Sequence, residues 1–294
     1  MDIGGCDALR QVVRDCRLIL LAATEAEAGP LLAALRGPQR HVMATKTLYV
    51  GETGGPLGDE NRGDVPRVAP QAVLAVSGCD KANVAHVLTS LLQAMSPPPA
   101  LVLQVGIAGA LPAAGPYRGA RVGDVVVAAS EVYSDTGTSS PDGWVSAGEL
   151  GLPIARVNGA ETGGSFLFDG ALVEWAVVVL AGIDWRGTSR EADPPAVLRG
   201  ACVTSSLVTG TSQDAVLVAR RWQALAESME GAAAAHVCAL YRVPFLEVRA
   251  ISNLVGDRDR AAWSVEGAIE TAGQAALALI ASLESLPLDG RRER

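Results

Sequence analysis

Short, uninterrupted apolar runs alternate along this chain with longer stretches in which apolar residues return every three or four positions. "RLILLAA" (17–23) has the first character and reads as a buried strand. "TEAEAGPLLAAL" (24–35) then passes from loop into helix. "AVLAVSG" (72–78) is a second strand closing on glycine, and residues 81–95 carry a helical pattern until "SPPPA" ends it. "LVLQVGIAGAL" (101–111) is a strand running into a glycine turn, "GDVVVAASEVY" (123–133) is another, and "ACVTSSLV" (201–208) a further one. A helix over 211–222 takes Thr211 or Ser212 as its cap. A strand should then turn into the alanine-rich helix "GAAAAHVCALY" (231–241), followed by the strand "PFLEVRAIS" (244–252) and a long helix over 263–284.

This alternation predicts an α/β fold with a central mixed, twisted sheet flanked by helices in three layers. Residues 1–16 read as a loose leader and 285–294 as a tail, which leaves 17–284 as a single domain. Residues 52–70, 136–165 and 183–199 are rich in Gly, Pro and charge and read as surface insertions. In such sheets ligands gather beyond the carboxyl ends of the strands. The polar residues at those ends are Glu25 and Glu27, Ser77 and Gly78, the 106–109 glycines, Glu230, and Ser252-Asn253, so five strand ends converging on one rim would make a pocket.

Charge narrows the ligand. A formal net charge of −8 argues against nucleic acid, whose phosphates need a basic surface. Only Lys46 and Lys81 among the 24 basic residues are lysines, so arginine must do the cationic work. The five cysteines are scattered without a CxxC, the pattern of reduced thiols in a cytoplasmic protein, several of them in the core. The three histidines show no metal-ligand spacing, and His236, inside the alanine-rich stretch, reads as packed or capping. No run reaches the roughly 18 apolar residues of a membrane span. No metal, cofactor or membrane partner is expected.

The candidate chemistry has plain alternatives. "VGIAGA" (105–110) lacks the third glycine and the acidic partner of a dinucleotide fingerprint, so close backbone approach to a ligand or a neighbouring strand is the better use of its glycines. Glu230 stands at a helix entry, where the dipole alone stabilises a carboxylate. A half-buried carboxylate there also suits two adjacent sugar hydroxyls, and the two readings stand level. Glu27, taken by itself, fits a surface position on a helix's first turn better than a functional one.

Together the stretches "AATEAE" (22–27), "SGCDKANVA" (77–85), "VGIAGAL" (105–111), "RVGDVVVA" (121–128), "SMEGAAAAHVC" (228–238) and "VPFLEVRAISN" (243–253) resemble the nucleoside phosphorylase and nucleosidase superfamily, in its order and over most of 17–284. Within it, "VTG" (208–210), "NLVGDRDRAAW" (253–263), Asn83 and "SN" in place of "SD" bring the chain nearer to the futalosine hydrolase branch than to the methylthioadenosine nucleosidases. The resemblance implies a nucleoside phosphorylase-like fold and hydrolysis of an N-glycosidic bond, with futalosine releasing hypoxanthine in menaquinone biosynthesis. It implies that Glu230 grips the ribose hydroxyls, Met229 packs on the sugar, and Glu27 orients the attacking water. Ser77, Gly78 and Asn83 would lie by the ribose, Leu207 and Val208 along the base, and Ser252 and Asn253 at the purine, Asn253 addressing N7. Arg258 and Arg260 are the candidates for the substrate's distal carboxylate. Asp80 departs from the family, where a second glycine is usual. Methylthioadenosine nucleosidase, purine nucleoside phosphorylase and a non-catalytic nucleoside-binding module are the competing functions, and glutamates in the N-terminal loop favour water over phosphate. A homodimer or larger homo-oligomer is the implied assembly.

Overall fold

In the computed structural model, which describes residues 6–54, 71–114, 118–141, 143–185 and 194–287, helix α1 (Cys6–Val13) precedes strand β1 (Leu18–Ala22) and helix α2 (Glu25–Leu32). The hairpin β2 (Leu35–Met43) and β3 (Lys46–Thr53) follows, then β4 (Gln71–Val76), α3 (Lys81–Ala94), β5 (Leu101–Ala110) and β6 (Val125–Tyr133). Two small hairpins, β7 (Gly137–Ser140) with β8 (Gly143–Ser146) and β9 (Ala155–Val157) with β10 (Ala160–Thr162), lead to β11 (Ser165–Leu167) and α4 (Gly170–Ala181). The remainder holds β12 (Val197–Thr204), α5 (Ser212–Trp222), β13 (Ala224–Ser228), α6 (Gly231–Tyr241), β14 (Phe245–Leu254) and α7 (Val265–Ala281).

The central sheet has ten strands and is mixed. β1, buried at every position, pairs in parallel with β4 and β5, and β3 and β2 extend the β4 edge antiparallel. Beyond β5 the sheet closes on itself. β5 pairs with β14, β14 with β6, β6 with β12, β12 with β13, and β13 returns antiparallel to β5. This ring brings the ends of β5, β12, β13 and β14 to one place. One apolar cluster packs α2, α4 and α7 on one face of the sheet, and another packs α1, α3 and α6 on the other, which gives the expected three layers.

The structure corrects several boundaries. Residues 6–16 are not a loose leader: α1 docks with Leu9, Val13 and Cys16 buried against α3. The strand expected over 201–208 ends at Thr204, and Leu207 and Val208 lie in the loop that follows. It begins at Val197, earlier than the apolar run suggests, and pairs with β6 from that residue onward. The 136–165 insertion contains the two small hairpins, while parts of 52–70 and 183–199 fall outside the described residues. The β2–β3 hairpin is absent from the apolar pattern because its turn places Ala44 and Thr45 at positive φ (46° and 69°), where Asn-Gly is the usual signal. Thr211 is the α5 cap, accepting from the Asp214 amide.

Candidate active site

Glu27 is not a surface residue. Thr24 and Glu27 form a capping box at the start of α2: Glu27 N–H donates to Thr24 Oγ1, and Thr24 N–H and Oγ1–H donate back to Glu27 Oε2 at 3.0 and 2.8 Å. The other oxygen, Oε1, accepts from the Ile107 amide of β5 at 3.0 Å and keeps a lone pair free. The carboxylate is 7% exposed, turned into the protein while Glu25, two residues back, accepts from the Tyr49 hydroxyl at the surface.

Glu230 occupies the N-cap position of α6 but makes no capping bond with its side chain. The carboxylate stands at the helix entry as expected, but its oxygens are directed away from the first turn of α6. Its Oε1 accepts from the Asp80 amide at 3.1 Å and its Oε2 faces Arg249 Nη2 at 3.4 Å. Burial raises its pKa, the Arg249 charge and the Asp80 amide oppose that rise, and Glu27 and Glu247 reinforce it.

Arg249, which sequence reasoning passed over, stands between these groups at 1% exposure. Its Nε donates to Glu247 Oε1 at 2.7 Å, and Nη1 reaches the Ile107 carbonyl at 3.4 Å. Burial works against its charge, but Glu247 and Glu230 outweigh burial and the net shift of its pKa is upward. The only sequence signal was the alternation Glu247-Val248-Arg249 inside an otherwise apolar strand.

A fourth carboxyl completes the cluster. Glu131 on β6 accepts from Thr204 Oγ1 at 2.9 Å, and Thr204 in turn accepts the Ala232 amide of α6 at 2.7 Å. Burial first, then the Glu247 charge, pushes the Glu131 carboxyl well above its usual range. Glu131 Oε1 and Glu247 Oε2 have no other partner, and a proton held by Glu131 and shared with Glu247 satisfies both. The glycines now have reasons. A Cβ on Gly231 would collide with both carboxyls, and one on Gly106 would lie 2.6 Å from Glu27 Oε1 and 2.7 Å from Arg249 Nη1.

The loop after β4 packs against Glu230, to which it donates the Asp80 amide. Ser77 is buried, its hydroxyl directed at the Gly78 and Ala22 carbonyls. Gly78 has φ +83°, and Lys46 Nζ would sit 2.9 Å from any Cβ there while donating to Asn83 Oδ1 at 2.7 Å. Asp80 keeps the positive φ (84°) that a glycine would take, and its side chain caps α3 through the Lys81 amide and accepts from the Ser206 hydroxyl. The substitution thus ties this loop to the one carrying Leu207. Met229 is half-buried beside Glu230.

At the other end, a cavity of about 100 Å³ is lined by Gly109, Val208, Thr209, Glu227, Asn253, Leu254, Val255, Gly256, Arg258 and Trp263. Ser252 Oγ lies 2.8 Å from Asn253 Oδ1, which leaves the amide nitrogen, 2.9 Å from the Leu254 carbonyl, with a second hydrogen to offer. Arg258 lines this cavity with its guanidinium 5.2 Å from the centre of the Trp263 ring. Arg260 is exposed on the short 3-10 turn beyond and does not line it. Leu207 is 81% exposed, outside the cavity that Val208 lines. His236 is packed, stacked on Phe166 at 5.0 Å. A larger cleft of about 630 Å³ lies between α1 and the β2–β3 hairpin and shares none of these residues.

The fold, with its buried carboxyl groups and arginine beside a cavity that an amide lines, is that of α/β enzymes that cleave N-glycosidic bonds. The chain belongs to the phosphorylase superfamily, whose family model matches residues 17–286. It is 34% identical over 186 residues to the futalosine hydrolase of Streptomyces coelicolor, covering 63% of this chain and 67% of that one. To the futalosine hydrolase of Thermus thermophilus it is 30% identical over 205 residues, covering 70% and 79%. Among solved structures, the S-adenosylhomocysteine nucleosidase from Streptococcus pyogenes in complex with 5-methylthiotubericidin superposes with a TM-score of 0.67 at 26% identity, over 93% of this chain and 98% of that one.

Proposed function

We propose that this enzyme hydrolyses futalosine to hypoxanthine and the dehypoxanthinyl sugar, a step of menaquinone biosynthesis. The observation that carries the reading is the gathering of Glu27, Glu230 and Glu247 around Arg249, the one buried cation among the described residues, together with a cavity that Asn253 lines. Besides Glu131, three carboxyl groups stand around one arginine, so acidic groups outnumber the cation and bias the site towards negative charge. An anionic site stabilises the oxocarbenium character that the ribose acquires as its bond to the base stretches, and it repels phosphate as a competing nucleophile.

In this reading Glu230 accepts from the ribose hydroxyls, and the free lone pair of Glu27 Oε1 takes a proton from the attacking water. The water oxygen bonds to C1′, the bond from C1′ to the purine nitrogen breaks, and its electron pair leaves with the base. Asn253 donates its free N–H to purine N7 or O6 and spreads that negative charge. Asparagine carries no titratable proton, so the base departs through hydrogen bonding and not by protonation from this residue. Relatives with aspartate at this position have that second route, and the amide favours a 6-oxopurine, which offers acceptors on this edge. Ser77, Gly78, Asn83 and Met229 line the ribose side, and Val208 and Ser252 support the base. Leu207, exposed in a single copy, suits contact with a second copy in a cytoplasmic homodimer.

Incubation with futalosine, methylthioadenosine and inosine, with and without phosphate, tests the proposal by the base released. Hypoxanthine should appear from futalosine at a rate indifferent to phosphate. Adenine release from methylthioadenosine as the faster reaction, or a sugar phosphate product, would replace it with one of the competing activities.

A further inference from the structure

Asp80 takes a backbone conformation that its own side chain opposes. At φ +84° and ψ +154° it lies outside the left-handed helical region that aspartate tolerates, in one left almost wholly to glycine. A residue stays in such a conformation only where its surroundings over-determine it, and residues of this kind gather at functional sites. The amide of this residue is the one that donates to Glu230 Oε1 at 3.1 Å.

A closed ring of side chains holds Asp80 there. Its Oδ1 accepts from the Lys81 amide at 2.6 Å and from the Ser206 hydroxyl. The Ser206 amide donates to Asp135 Oδ2 at 2.7 Å. Asp135 Oδ1 pairs with Lys81 Nζ at 2.6 Å, and the peptide bond from Lys81 leads back to Asp80. Lys81 opens α3, Asp135 follows β6 and Ser206 follows β12, so three segments distant in sequence are tied at one point. The neighbouring Ser205 amide donates to the carbonyl of Ser228, two residues before Glu230, at 3.0 Å.

Glu230 stands between two donors. Its Oε2 faces Arg249 Nη2 at 3.4 Å, and a guanidinium favours pairing with both oxygens of a carboxylate. The Asp80 amide on Oε1 opposes that fork and leaves a lone pair on each oxygen for a further donor.

We infer that Asp80 is a positioning residue: its side chain, tied into the ring at Ser206, holds its own peptide against Glu230 and so keeps that carboxylate turned from Arg249 towards the ribose hydroxyls. The inference rests on the proposed function, because it takes Glu230 as the sugar-binding carboxylate. It gives the Asp80 side chain a part in catalysis although that side chain touches no substrate.

The test compares hydrolysis of futalosine, its 2′-deoxy analogue and methylthioadenosine by the wild type, Asp80→Gly, Asp80→Asn and Ser206→Ala, with a thermal melt of each. Glycine adopts this backbone without opposition and replaces an N-cap aspartate at little cost, so Asp80→Gly should melt at or above the wild-type Tm. Its kcat/KM on futalosine should nonetheless fall by about 3- to 10-fold, the range for one hydrogen bond. Because the effect runs through Glu230, the preference for futalosine over the 2′-deoxy analogue should shrink by the same factor. Ser206→Ala should reproduce this, and the double variant should be no worse than either single one. Asp80→Asn, whose amide oxygen still accepts both bonds, should keep the wild-type preference. An Asp80→Gly enzyme that keeps the preference, or that loses activity equally on both sugars, overturns the inference. So does activity that falls only in step with Tm, or an Asp80→Asn that behaves like Asp80→Gly. If futalosine is cleaved and Asp80→Gly changes nothing, the function stands and the positioning role falls. If methylthioadenosine alone is cleaved and Asp80→Gly slows it with Tm intact, the role stands and the futalosine reading falls. A wild type that cleaves neither removes both.

Discussion

Two glutamates buried side by side should respond to the same substitution in opposite ways. Glu247 faces Arg249 Nε at 2.7 Å, whereas Glu131 faces the Thr204 hydroxyl and has its pKa raised well above 4.5 by burial and by Glu247. Glu131→Gln therefore replaces a carboxyl that is already protonated with a neutral amide of the same shape, able to donate to Glu247 as the acid does. Glu247→Gln instead removes the partner of a buried guanidinium. Breaking a buried pair in this way costs about 3–5 kcal/mol. At about 2 °C per kcal/mol for a large domain, Tm should fall by roughly 6–10 °C. The pH dependence carries its own sign. A carboxyl with a raised folded-state pKa contributes stability that is fully present below the unfolded value and is lost as pH rises towards the folded one, because the unfolded chain releases its proton first. Across that window the wild type should lose up to about 1.4 kcal/mol per pH unit relative to Glu131→Gln. Thermal melts of the three proteins from pH 4.5 to 8, read as the difference from wild type, check both statements. Glu131→Gln should match the wild type near pH 4.5 and exceed it progressively above, with catalysis retained; Glu247→Gln should be the less stable at neutral pH and lose turnover as Arg249 loses its orientation. A destabilised Glu131→Gln beside an unaffected Glu247→Gln would show that the charge sits on the other carboxyl and refute the reasoning.

Glu27→Gln keeps an oxygen for the capping box but turns its NH2 onto the Ile107 amide, so it should fold with some loss of stability, bind substrate, and lose turnover by about 10²- to 10⁴-fold in a steady-state assay. Asn253→Asp should narrow or reverse the preference for 6-oxopurine over 6-aminopurine nucleosides, seen as the ratio of kcat/KM for futalosine and aminodeoxyfutalosine. Arg258→Ala should raise KM for futalosine more than for inosine if Arg258, stacked on Trp263 at the cavity wall, meets the substrate carboxylate; Arg260→Ala, outside the wall, should leave both unchanged.

The layered α/β plan was legible in the chain because β1, β4 and β5 are short runs buried on both faces, and because the helix signals beside them agree with the same fold. Glu230 and Asn253 were legible as residues that a core has no use for, and their roles came from resemblance. Other features were hidden for physical reasons. The β2–β3 hairpin turns on Ala44-Thr45 and lacks the residues that announce such a turn. Glu27 is indistinguishable in sequence from a solvated first-turn carboxylate, since only the packing of α2 on β5 brings the Ile107 amide to it. Arg249 and Glu131 belong to strands far apart in the chain, and a charge inside an apolar run has no visible partner until the sheet closes into its ring. Local pattern determined which elements form, because helix and strand periodicities are set by neighbouring residues. The pairing of distant strands decided which charges meet, because electrostatic contacts depend on distance in space and the sequence holds only distance along the chain.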